Sequence, residues 1–112
     1  MNKLARIAAG GLVFLGVVHA LMTSRNYQLA SAEALWFAGT GLMLIAAGLL
    51  TYCATMRDAN AARMAALIVN LFGFTLACFA VPILQEPHVY LLIAFFAAAL
   101  ISVSGIMFKS DG

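Results

Sequence analysis

Long apolar runs separated by short polar breaks organise this chain. The second run is the plainest. SAEALWFAGTGLMLIAAGLLTY, residues 31–52, carries a single carboxylate, Glu33, at its start and no other charge. An α-helix rises about 1.5 Å per residue, so some 20 residues cover the roughly 30 Å hydrocarbon core of a bilayer. By the same test the chain divides into spans at residues 4–23, 32–54, 64–84 and 89–108.

The breaks between them are polar. Thr23–Ala30 contains Ser24, Arg25, Asn26, Tyr27 and Gln28, a composition suited to the headgroup level. Thr55–Arg63 holds Arg57, Asp58, Asn60 and Arg63 and reads as an aqueous loop. In Gln85–His88, Pro87 stops one helix and starts the next. Pro82 fits a helix that is finishing.

Apolar residues lie all round each run rather than on one stripe, as expected where lipid replaces water. Strands of a membrane barrel would alternate over segments of about ten residues, and the runs are too long for that. The pattern predicts an all-α polytopic membrane protein: a four-transmembrane-helix up-down-up-down bundle forming one domain over residues 1–112.

Composition sharpens this picture. The chain is 65% hydrophobic and 9% charged, against about 45–50% and about 25% in an ordinary soluble domain. Its mean hydropathy is +1.05. Lipid must cover part of that surface, so the expected partner is the bilayer itself. A net charge of +2 without a basic cluster argues against nucleic acid.

Charge also sets an orientation. With the amino terminus in the cytoplasm, Lys3, Arg6, Arg57, Arg63 and Lys109 lie inside and only Arg25 lies outside. The expected location is the cell inner membrane, with both termini cytoplasmic. Tyr27, Trp36 and Tyr90 then fall near the outer interface, and Tyr52 and Phe108 near the inner one. The first run also has the look of a signal peptide, with Val18 and Ala20 in a cleavage pattern. A retained first span is the expectation that matches the other three. Cys53 and Cys78 are expected to be unpaired, buried small hydrophobes about 20 Å apart in depth.

Lipid tails are as apolar as leucine, so helices in a bilayer associate through close packing and polar links. Small residues recur at suitable spacing in every span. They are Gly16 and Ala20, with Gly10 and Gly11 deeper; Ala30, Ala34, Ala38, Gly41 and Gly48; Ala66, Asn70, Gly73, Ala77 and Ala80; and Ala94, Ala98, Ser102 and Gly105. Packing within one chain accounts for these stripes; a homo-oligomer or docking on a larger membrane-protein partner is the alternative. Asn70 reads as a buried polar link.

The groups with chemistry to offer gather at the predicted outer end: His19, Arg25, Glu33, Glu86 and His88, with Trp36 one turn below Glu33. His19 and Glu33 differ in depth by only a few Å at about 1.5 Å per residue. Ionisable groups within a span are costly, so a ligand or proton pocket at His19, Glu33, Trp36, Arg25 and His88 is one reading. The other is structural: Ser31 caps the second helix, Glu33 complements its dipole, and His19 bonds a neighbouring helix. No spacing fixes a metal site or a haem, and His88 is placed in a loop. No nucleophile motif or phosphate loop is present. No catalytic residue, metal or cofactor is therefore assigned, and an enzyme acting on a quinone or lipid ranks third.

The glycine-rich first span, GGLVFLGVVHA, followed by a second opening AEALWFAGTGL, resembles the small four-helix bacterial inner-membrane proteins, including the DoxX-like group. That resemblance implies an accessory subunit of a membrane oxidoreductase system and assigns no residue a role. Small multidrug-resistance exporters share the length but keep a glutamate mid-way along the first span, where this chain has none. The expected function is a non-catalytic accessory or interaction subunit; the alternative is a proton- or small-solute-linked transporter or sensor with an outward-facing pocket at His19, Glu33 and Trp36.

Overall fold

The structure, a computed structural model, describes residues 2–26, 31–84 and 87–110. They form α1 (Asn2–Asn26), α2 (Ala32–Cys53), α3 (Asn60–Leu84) and α4 (Pro87–Ser110). Each is long and apolar enough to cross a membrane.

The helix ends follow from local chemistry. Ser31 precedes α2 with extended backbone, and its Oγ accepts from the Ala34 amide at 3.1 Å. Glu33 lies in the first turn, where a carboxylate complements the dipole. Pro87 opens α4, at a position where its missing N–H costs nothing. His88 is therefore helical, not in a loop.

The connection from α2 to α3 departs from the aqueous loop expected. α3 starts at Asn60, and Arg63 is buried inside it. The Arg63 guanidinium donates to the Ala54 carbonyl at 2.9 Å, the Met56 carbonyl at 3.0 Å and Asn60 Oδ1 at 3.2 Å. One side chain thus satisfies carbonyls left over at the end of α2. Asp58 completes the turn in the left-handed region, with φ 51°.

Neighbouring helices run antiparallel around a ring, α1 to α2 to α3 to α4 and back to α1. The α1–α2 pair is the closest. A Cβ on Gly16 would stand 2.6 Å from the Gly41 carbonyl oxygen, and one on Gly48 would stand 2.7 Å from the Ala9 carbonyl oxygen. These glycines let two backbones touch. Elsewhere a glycine receives an aromatic ring: Phe95 covers Gly11, and Phe96 covers Gly73.

Leu12, Leu44 and Phe96, each at most 1% exposed, fill the bundle axis with Ala8, Ala47 and Ala99 around them. Nearer the Arg63 end, Ala54, Ala66 and Val103 form a second layer. Asn70 is the buried polar link that the sequence predicts. Its Nδ2 donates to Thr51 Oγ1 at 2.8 Å, and Thr51 donates in turn to the Ala47 carbonyl at 2.7 Å.

Two expectations need correcting. In α4 the buried line of Val89, Phe96, Ala99, Ser102, Val103 and Ile106 keeps Ser102 of the expected small-residue stripe, and Ala98 packs on the core, but Ala94 faces outward. Phe95 and Phe96, slotted over Gly11 and Gly73, share that interface with the small residues. Cys53 and Cys78 are free, as expected, but both are exposed on the outside of the bundle rather than buried in it.

Candidate functional site

Both histidines of the chain meet at one end of the bundle. α1 supplies His19, α2 supplies Phe37 and α4 supplies His88. The His19 ring stacks on Phe37 with centroids 3.6 Å apart and planes 16° apart. The His88 ring meets it edge-on at 6.5 Å and 61°. Both histidines are half-buried.

The close α1–α2 contact produces this arrangement. Gly16 and Ala20 press α1 against Gly41, so His19, one residue before Ala20, is carried over the face of α2. On that helix the inward line runs through Ala34, Gly41, Leu44 and Gly48, and Phe37 shares it at helical spacing. Trp36 is a further 100° or so round the helix. It is 75% exposed on the outer surface and lies outside the cluster.

Of the residues expected to form the pocket, the structure brings together His19 and His88. Glu33 is exposed in the first turn of α2. The side chain of Arg25 and the whole of Glu86 lie outside the described residues. Phe37 is the member that sequence reasoning missed. The small-residue line 34–41–48 carries the signal for it, because that line fixes which of two adjacent aromatics points inward.

Imidazole is the side chain whose charge changes near neutral pH, and a stacked aromatic ring holds it in place. The cluster sets two imidazole rings and one phenyl ring together at one end of the bundle. Among the described residues no group of three or more His, Cys, Asp and Glu side chains is placed to hold a metal ion.

The opposite end carries the basic side chains among the described residues. Arg6 donates from Nε to Thr55 Oγ1 at 3.3 Å, and its guanidinium carbon lies 5.7 Å from the centre of the Tyr52 ring. Lys3 and Arg57 are exposed at the same end.

Fold and site together define a class: a small all-helical bundle whose four apolar helices are each long enough to span a membrane, with a histidine pair at one end and arginines at the other. No protein-family model, curated protein or solved structure matches the chain.

Proposed function

We propose that the protein is an integral inner-membrane protein with both termini in the cytoplasm, acting as a non-catalytic accessory or interaction subunit. One observation carries this reading. The axis of the bundle is filled by Leu12, Leu44 and Phe96, while only 22–33% of each apolar window is buried. A filled interior and an apolar exterior make the outer surface the working face. The basic side chains at the Arg6 end favour that end for the cytoplasm. In keeping with the DoxX-like resemblance, the partner would belong to a membrane oxidoreductase system.

The test is purification from native membranes in mild detergent, with mass and composition of the particle measured together. A stoichiometric complex with a second membrane protein is the expected result. A solitary monomer, with no loss of any membrane activity on deletion, would contradict it.

The meeting of His19 and His88 supports a second reading, a proton- or small-solute sensor at that end. This reading takes Phe37 rather than Trp36 as its aromatic member, supported by the His19–Phe37 stack and the exposure of Trp36. Under this reading His19→Ala and His88→Ala alter a pH response or solute uptake, and Trp36→Ala does not. Identical behaviour of all three would remove it.

A further inference from the structure

A groove of about 560 Å³ runs along the outside of the α1–α2 pair. Its walls are apolar, with Phe14 and Val17 toward the bundle's middle, and Arg6 and Tyr52, with Leu49 one turn from Tyr52, at its other end. From Arg6 to Val17 the groove follows α1 for about 16 Å at about 1.5 Å per residue, roughly half a bilayer's hydrocarbon thickness. It begins at the headgroup level and ends near the midplane. That is the space one acyl chain of a single leaflet occupies.

The polar end is built for an anion. Arg6 is held in place by Thr55 and the Tyr52 ring, and those contacts engage Nε and the guanidinium face. Its Nη groups have no partner among the described residues and are suited to phosphate oxygens. Lys3, one turn earlier on α1 and exposed, adds positive charge at the same end of the helix.

Gly10 supplies an independent observation. Glycine weakens a helix relative to alanine, and at Gly11, Gly16 and Gly48 close neighbours demand it. At Gly10 a Cβ would meet nothing within 4 Å. Gly10 lines the groove, so a side chain there would project into it, whereas at Gly39, equally open, it would not.

We infer that this groove binds an anionic phospholipid from the leaflet at the Arg6 end, one acyl chain lying along Gly10 and Phe14 and the phosphate against Arg6. The inference rests on the reading that the helices cross a bilayer.

Native mass spectrometry of the detergent-purified protein, titrated with phosphatidylglycerol or phosphatidylcholine of identical chains, tests it. The expected result is one retained phosphatidylglycerol per chain, with a preference of about fivefold over phosphatidylcholine for one basic side chain at an anionic headgroup. Arg6→Gln lowers the preference to about twofold or less, and Lys3→Gln together with Arg6→Gln removes it. Gly10→Leu fills the groove and lowers retention of both lipids at least about fivefold, the scale of losing several buried methylenes. Gly39→Leu is the matched control. Gly39 is also open and does not line the groove, so this variant binds as the unmodified protein does.

Equal retention of the two lipids, or Gly10→Leu indistinguishable from Gly39→Leu, overturns the inference. So does crosslinking that finds a second copy of the chain seated at Gly10. Resistance of the protein to alkaline extraction from membranes separates the outcomes. An extractable protein refutes the spanning reading, whereas an embedded one without headgroup preference refutes only the lipid site.

Discussion

Gly16 and Gly10 lie on the same helix, six residues apart, yet alanine should have opposite effects at the two positions. At Gly16 the added methyl would stand 2.6 Å from the Gly41 carbonyl oxygen and 2.9 Å from the Ile45 amide nitrogen. Both are backbone atoms that no rotamer change can move aside. Ordinary contact begins at 3.4 Å, so α1 and α2 must part by about 0.8 Å, a gap that forfeits a quarter to a half of each dispersion contact along the seam. Overpacking of this kind costs about 1–3 kcal/mol, and the upper half of that range fits a backbone-to-backbone site. At Gly10 the methyl enters open space, and relief of glycine's conformational entropy stabilises the helix by about 0.5–1 kcal/mol. Reversible unfolding in mixed micelles, titrated with a denaturing detergent and followed by circular dichroism, measures both. Gly16→Ala should lower the midpoint and Gly10→Ala should leave it unchanged or raise it. Equal destabilisation by the two, or a neutral Gly16→Ala, would refute the backbone contact between α1 and α2.

The same assay reaches other parts of the fold. Arg63→Met keeps the stem but orphans the Ala54 and Met56 carbonyls, and should destabilise by about 2–4 kcal/mol, with Arg63→Lys recovering a minority of it. A double-mutant cycle of Thr51→Ala and Asn70→Ala should show a favourable coupling near 0.6 kcal/mol and below about 1.7 kcal/mol, the range for hydrogen bonds between membrane helices. Zero coupling would mean that the Asn70–Thr51 bond does not form in the micelle. Phe37→Ala should lower stability more than Trp36→Ala, because only Phe37 packs on His19.

The number and length of the helices are readable from the sequence because a bilayer imposes a length on every apolar run. Their ends are less so. Asn60 and Arg63 look like loop residues, and nothing local reveals that a guanidinium will turn back to the carbonyls of Ala54 and Met56 just after α2. The close α1–α2 approach could be foreseen from Gly16, Gly41 and Gly48, whereas in α4 the choice between the Ala94 face and the Phe96 face depends on glycines of other helices. The same limit governs the site. The stack of His19 on Phe37 brings α1 and α2 together near one level, and depth along a helix follows from residue count. Rotation about the axis does not, and a single-residue difference in phase exchanges Trp36 for Phe37.

The central claim is that this chain crosses a bilayer four times with its Arg6 end in the cytoplasm, and reporter fusions test it most directly. A reporter active only in the cytoplasm should work when joined after Asp58 and fail when joined after Asn26, and a reporter active only outside should do the reverse. Both fusions active on the same side, or the opposite assignment, would contradict the account.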